Sequence, residues 1–414
     1  MKKVTFAVCG VGSRGTRYIY ELLGHPEEME ITAIADNRRV RLEAVNKNLN
    51  LPEDRLFDSA DSLFAAPKLA DVMIIATQDN QHKEHAIAAM KCGYDLILEK
   101  PISNRLEECV EIAEAANKYG RRVLVCHVLR YTGFYKEIKK RINEGLIGEV
   151  VNIHALEMVG YYHFAHSYVR GHWHKQADSS PMILAKCCHD MDIILWLSGK
   201  RCESVSSVGS LKHFRAENCP EGAKERCGDG CEVDCPYHAQ KFYLSRIPGW
   251  PANVLHPEPT EERVLENLKT SNYGRCVYKM DNDVCDHQVV ALQLEDGVTA
   301  SFTVSAFNNK QDREIHVMGT KGNIWGSFKD RKIYVGIYGQ ETQEIDLAPM
   351  YPVTTGHGGG DGGLIADAIR FYRGDDFDQS GITSIDRSVE SHLVAFAAEK
   401  SRAMGGERVV MNAE

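Results

Sequence analysis

Short apolar runs alternate with amphipathic stretches through roughly the first 125 residues. The runs at 4–8, 31–35, 72–76, 95–98 and 122–126 are strand-length and almost continuously apolar, the pattern of strands covered on both faces. Strands separated by helical periods read as successive βαβ units, hence as a parallel sheet. Between the last two runs Leu106, Val110 and Ala113 recur at helical spacing. Ser103 is the expected N-cap of that helix and Gly120 its stop.

Beyond Arg130 the texture changes. A Gly145-Leu146-Ile147-Gly148 turn precedes longer β-like runs at 149–159, 203–211, 286–293 and 297–305, with Glu295-Asp296-Gly297 as a hairpin signal. These predict a mostly antiparallel sheet. Helical stretches interrupt it at about 181–198 and 361–374. Residues 213–270 read as an insertion rich in Cys, Pro, Glu and Gly, with little periodicity.

The glycine pattern gives the first half a chemistry. Gly10-Val11-Gly12-Ser13-Arg14-Gly15 follows the first apolar run directly and opens a helical segment, and Asp36 ends the second run about twenty residues later. Such a turn brings backbone N–H groups and a helix N-terminus to a pyrophosphate, while the carboxylate is placed for ribose hydroxyls. The expected architecture is therefore an α/β Rossmann domain over 1–128, followed by an α+β domain with an open, mostly antiparallel sheet over 129–414. A carboxylate at Asp36 repels a 2′-phosphate, which favours NAD over NADP. Arg38 and Arg39 follow closely, either as contacts for such a phosphate or as solvated cations.

Composition narrows the picture further. A chain of 414 residues exceeds one ordinary core, and 43% hydrophobic with 26% charged residues is typical of a globular protein. A net charge of -9 and the lack of any Lys/Arg tract argue against nucleic acid. The apolar run after Met1-Lys2-Lys3 reaches glycine by Gly10, too short for a signal segment or a membrane span, so a cytoplasmic protein without a membrane partner is expected.

At the end of the fourth run stands Glu99-Lys100-Pro101. Together with the glycine turn, Ala76-Thr77 and His82, Arg130-Tyr131, Gly145 to Val150 and His189-Asp190-Met191-Asp192, it resembles the glucose-fructose oxidoreductase, inositol dehydrogenase and MocA-like (Gfo/Idh/MocA) family along essentially the whole chain. The resemblance implies NAD(P)-linked oxidation or reduction of a hydroxyl on a sugar, polyol or related compound. It also implies a homo-oligomer, dimer or tetramer, built by sheet packing. Cofactor contacts are then expected from Gly10, Gly12, Ser13, Arg14, Gly15, Asp36, Arg38, Thr77, His82, Glu99, Lys100 and Arg130. Lys100 would lie beside the nicotinamide and the reacting hydroxyl, with Glu99 pairing with it or orienting it. Many members carry an Asp-x-x-x-His pair on the second domain; here the histidine matches His189, but the aspartate position is Ala185 and Lys186 follows. Lys100 and His189 are left as the acid/base candidates, with Lys186 as a third, and Asp192 reads as structural.

The stretch from Tyr161 to His174 is dense in hydrogen-bonding aromatics and histidines. Aromatic faces cover the C–H side of a sugar while His, Arg and Tyr read its hydroxyls, which nominates Tyr161, His163, His166, Arg170 and Trp173. The same stretch also reads as a structural loop or, through its histidines, a metal site. The glycine-rich segment from Thr355 to Asp361 adds His357 and Asp361, either as ligand contacts or as a turn capping the next helix. Cys219, Cys227, Cys231 and Cys235 fall within seventeen residues, a set suited to structural zinc, with an iron–sulfur cluster or plain thiols as alternatives.

The expected protein is an NAD-dependent oxidoreductase acting on a ring hydroxyl of a sugar or glycoside. One alternative is an NAD-dependent glycoside hydrolase that oxidises the ring transiently, eliminates the aglycone and restores the hydride, with His163, His166 or His357 as its extra base. A second is a dinucleotide or sugar sensor without turnover.

Overall fold

The computed structural model describes residues 2–353 and 356–411. Six strands, β1 (Val4–Cys9), β2 (Met29–Ala35), β3 (Leu56–Phe57), β4 (Val72–Ile75), β5 (Asp95–Leu98) and β6 (Val123–Val125), form a parallel sheet in the order β3-β2-β1-β4-β5-β6. This is the doubly wound order in which a ligand cleft opens where the winding reverses, between β1 and β4. Phe6, Val8, Val72, Ile74 and Ile97 are fully buried, which is why these strands read as unbroken apolar runs.

The helix Leu106–Tyr119 stops at Gly120 in the left-handed region, as expected. Its start is not the expected one. Arg105 is the cap in extended conformation, and Ser103 instead donates its hydroxyl to Glu108 at 2.6 Å.

Nine strands make the second sheet: β7 (Val150–Gly160), β8 (Cys202–Ser210), β9 (His287–Leu294), β10 (Thr299–Asn308), β11 (Asp312–Gly319), β12 (Gly322–Ser327), β13 (Lys332–Ile337), β14 (Gln343–Asp346) and β15 (Val409–Val410). Neighbours are antiparallel except β7 and β10, which run parallel at its centre. The hairpin between β9 and β10 turns on Asp296 and Gly297, both at positive φ.

One face of this sheet is covered by the helices Cys188–Ser198 and Ile385–Ala403; the other presents Val151, His154 and Val289 outward. The insertion is more ordered than its sequence suggests. Helices Ala239–Leu244, Ala252–Leu255 and Glu261–Thr270 close over a small core of Tyr243, Leu255, Val264 and Leu268.

The chain does not leave the first half for good at residue 129. Helix Gly360–Arg373 packs on helix Ser13–Leu23 and sends Leu364, Ile365, Ala368 and Ile369 into the same core as Phe6 and Val8. Among the described residues no helix is long and apolar enough to cross a membrane.

Leu364 is fully buried in that shared core. Leu364→Ala is expected to cost about 2–5 kcal/mol, as a core truncation does. The measurement is the urea midpoint of the nucleotide-binding half; an unshifted midpoint would place this helix outside that core.

Candidate active site

The glycines of the first turn divide the work. A side chain at Gly10, where φ is +92°, would sit 2.6 Å from the Ala76 carbonyl, and one at Gly15 would sit 1.9 Å from the Gly10 carbonyl. Both therefore hold the strand, turn and helix in close contact. Gly12 has only the Arg41 guanidinium within 4 Å of its missing side chain, leaving its backbone open to approach. The helix that starts at Ser13 has no side-chain cap and no acidic residue in its first turn, so its free N–H groups suit an anion. The turn thus fits a dinucleotide pyrophosphate.

Asp36 fastens this turn: its carboxylate accepts the Val11 N–H at 3.0 Å and the Arg38 N–H at 2.9 Å. Burial and the nearby Arg41 lower the pKa of Arg38 from its ordinary value.

Arg14 is engaged within the protein. It donates to Glu99 at 2.6 Å, to the Tyr18 hydroxyl at 2.6 Å and to Asp361 at 2.7 Å, and so joins the glycine turn, the Glu-Lys-Pro turn and the returning helix. Glu99 accordingly pairs with Arg14 rather than with the Lys100 ammonium, and reaches Lys100 only through its backbone N–H at 2.8 Å. The Lys100-Pro101 bond is cis. His82 bridges the Pro101 and Thr77 carbonyls at 2.8 and 3.2 Å, and Thr77 itself bonds His85 at 2.9 Å. These side chains brace the turn. Arg130 is engaged too, in a two-pronged, fully buried pair with Asp192 at 2.7 and 2.6 Å, which bears out the structural reading of Asp192.

Where the sequence lacks the expected aspartate, the backbone takes over: the Lys100 ammonium donates to the Ala185 carbonyl at 2.8 Å. His189 lies a helical turn on, buried, with its Nδ1 unbonded among the described residues. Burial, and then the charges of Lys100 and the proximity of His127, hold its pKa well below the ordinary value, so the ring is neutral. Lys186 points to the sheet, with its ammonium 3.3 Å from Glu157. Burial is the largest influence on it and lowers its pKa.

Glu157 on β7 and Arg313 on β11 are cross-strand partners on the inward face, with Arg313 Nε 2.6 Å from Glu157 and 2.8 Å from Asp190. Sequence reasoning missed this pair. The signal was available, since both charges occupy inward positions of strands whose other inward residues are apolar, such as Ile153, Val159, Ile315 and Val317.

The aromatic stretch is a helix at Tyr161–Phe164 that runs into a wider π-turn at Ala165–Arg170. Its expected substrate contacts separate. His163 is close enough to Lys186 and His357 to feel their charges, is bonded to Gln311 at 2.8 Å, and has its ring centre 4.9 Å from that of Trp250 in a steeply tilted contact. His166 instead bonds the Tyr243 hydroxyl at 2.8 Å and stacks on Tyr273, and burial lowers its pKa to about 3. Arg170 donates to the Arg275 and Tyr237 carbonyls, Trp173 to Asp79, and Tyr161 packs against Tyr237. These four support the insertion and the cleft wall rather than converge on one ligand. His357 is hydrogen-bonded to Asp361 at 3.0 Å. Although burial alone would raise it, that bond and Arg14 depress the Asp361 pKa, so Asp361 is a carboxylate inside a charge network. Thr355 lies outside the described residues.

The zinc expected from Cys219, Cys227, Cys231 and Cys235 is not shown. Among the described residues no group of His, Cys, Asp or Glu side chains converges as metal ligands, and the cysteines are free thiols. Cys227 is packed in the insertion's core and accepts from Arg170 at 3.8 Å, while Cys219 and Cys235 pack against the larger core.

Comparison with known proteins agrees with this geometry. The profile described as an oxidoreductase family with an NAD-binding Rossmann fold matches residues 4–127, and its companion for the C-terminal alpha/beta domain matches 139–370. The oxidoreductase YteT of Bacillus subtilis (strain 168) is 25% identical over 89% of this chain and 88% of its own. The 2,7-anhydro-N-acetylneuraminate hydratase of Escherichia coli (strain K12) is 27% identical over 51% of this chain and 54% of its own. A levoglucosan dehydrogenase solved with NADH and levoglucosan superposes with a TM-score of 0.73 over 99% of both chains, at 16% identity. Two domain profiles spanning most of the chain, on the fold and turn just described, place it in the Gfo/Idh/MocA oxidoreductase family.

Proposed function

We propose that the protein is an NAD-dependent oxidoreductase acting on a ring hydroxyl of a sugar or glycoside. The observation that carries this reading is the meeting of Lys100, delivered by the turn after β5, with the segment that bears Ala185, Lys186 and His189. Bound at the glycine turn, the dinucleotide supplies the hydride acceptor. The chain must then take the hydroxyl proton and steady the developing negative oxygen. A neutral His189 is fit to accept the proton. Lys100, held by the Ala185 carbonyl, presents N–H groups and positive charge to the oxygen. His163 and His357, both near Lys186, serve the sugar hydroxyls on this reading, and the relatives named for sugar and inositol chemistry support the substrate class.

The hydratase relative favours a second reading, in which the hydride is returned and the net reaction is elimination or addition at the ring. That chemistry needs a base besides the one used for oxidation, and His163 and His357 offer two candidates.

The two readings part in one experiment: incubation with a panel of free sugars and aryl glycosides, following NADH absorbance and aglycone release together. NADH in step with product is expected; aglycone without NADH favours the second reading. Lys100→Met is expected to lower turnover on any active substrate by about 100-fold or more, with NADH binding by fluorescence kept. Unchanged turnover would remove Lys100 from the chemistry.

Asp36 sets the preference for NAD. Asp36→Ser is expected to raise the NADP-to-NAD ratio of kcat/KM on the order of tenfold, about 1.4 kcal/mol. An unchanged ratio would assign the preference elsewhere. The outward face of the second sheet, with Val151, His154 and Val289, is the contact for a second copy on this reading. Sedimentation is expected to give a dimer or tetramer, and a monomer at micromolar concentration would sink it.

A further inference from the structure

We propose that Glu157 is a positioning residue of this site, which holds Lys186 as an ammonium beside Lys100 and so gives the reacting oxygen a second cation. The inference rests on the function proposed above, with Lys186 close enough to Lys100 for the two charges to oppose each other.

Glu157 is fully buried on the inward face of β7, in register with Ile153, Ala155 and Val159. A carboxylate at such a position is costly unless opposite charge meets it. No hydrogen bond in good geometry reaches either of its oxygens among the described residues. It meets two cations instead: Lys186 at 3.3 Å from one oxygen and Arg313 at 2.6 Å from the other. Arg313 is directed elsewhere as well, since its Nε donates to Asp190 at 2.8 Å. No salt bridge other than the one to Glu157 reaches Lys186 among the described residues.

The groups that bear on the Lys186 charge come from every side. Glu157 and, more weakly, Asp190 from the helix Cys188–Ser198 favour the ammonium. Burial, Arg313 from β11 and Lys100 from the Glu-Lys-Pro turn oppose it, and His163 and His357 are close enough to feel it. Glu157 is the largest favourable member of this balance. Without that carboxylate the opposing influences act unchecked and Lys186 becomes an amine at lower pH.

The arrangement also accounts for Ala185. A carboxylate there would share the Lys100 ammonium from the neighbouring position; here the Ala185 carbonyl takes Lys100, and the carboxylate comes from the sheet and serves Lys186.

The test is the titration of Lys186 in the full-length protein, read from its rate of acetylation by acetic anhydride against pH, with the modified peptide quantified by mass spectrometry. In Glu157→Gln the midpoint is expected to fall by about one pH unit or more, the shift that loss of one close opposite charge produces. Glu157→Asp keeps the charge and is expected to return the midpoint toward wild type, an effect that a packing role for Glu157 would not give. A midpoint within about 0.3 units of wild type in Glu157→Gln, or in Glu157→Leu should the first not fold, would overturn the proposal, since that is well below the shift of one close charge. In Glu157→Gln the pH profile of kcat is expected to move with the Lys186 midpoint. Failure of the wild type to oxidise any sugar in the panel would count against the function proposed above, while the acetylation titration would still decide whether Glu157 governs Lys186.

Discussion

The site hangs on one guanidinium. Arg14 sits inside the nucleotide turn, yet its three strong partners are Glu99, Tyr18 and Asp361, on three different segments. Glu99 and Asp361 are almost fully buried, so each carboxylate needs the cation to remain ionised there. Because Glu99 also accepts the Lys100 backbone N–H, the placement of the lysine is referred through Arg14 to the glycine turn. The glycine turn and the turn that carries Lys100 are thus fixed by the same side chain.

Around that tie the interior is unusually charged. Lys186, Arg313, Glu157 and Asp190 share one pocket and Arg130 with Asp192 another, while His189, His163 and His166 are kept neutral by burial. A buried charge survives when its opposite is within reach, and a buried imidazole by giving up its proton. The division leaves cations and neutral bases next to each other, the combination that proton removal from an alcohol calls for.

Much of the first domain was legible because parallel strands announce themselves as apolar runs and the glycine spacing is tied to a known turn. The second sheet was legible from longer runs and the Asp296-Gly297 hairpin. What spacing could not show has one cause. Arg14 and Glu99 were assigned from neighbours in sequence, whereas the Arg14 partner Asp361 is 347 positions away. Ser103 looked like a cap because its Glu108 bond is invisible to spacing. The insertion looked unstructured because its core is assembled from short helices, too short for a period to emerge. Composition nominated His166 and Arg170 for a sugar but cannot say which way a residue points, and both bond to the insertion.

The return of helix Gly360–Arg373 to the first sheet has a consequence for how the protein is made. Residues 4 to 126 leave the ribosome long before Leu364, Ile365 and Ala368 exist to cover Phe6 and Val8. Until then that side of the sheet stays wet, and Arg14 and Glu99 wait without Asp361. The first half, first in sequence, is therefore among the last parts to be completed, and an arrested or truncated chain would leave the apolar face that holds Phe6 and Val8 uncovered.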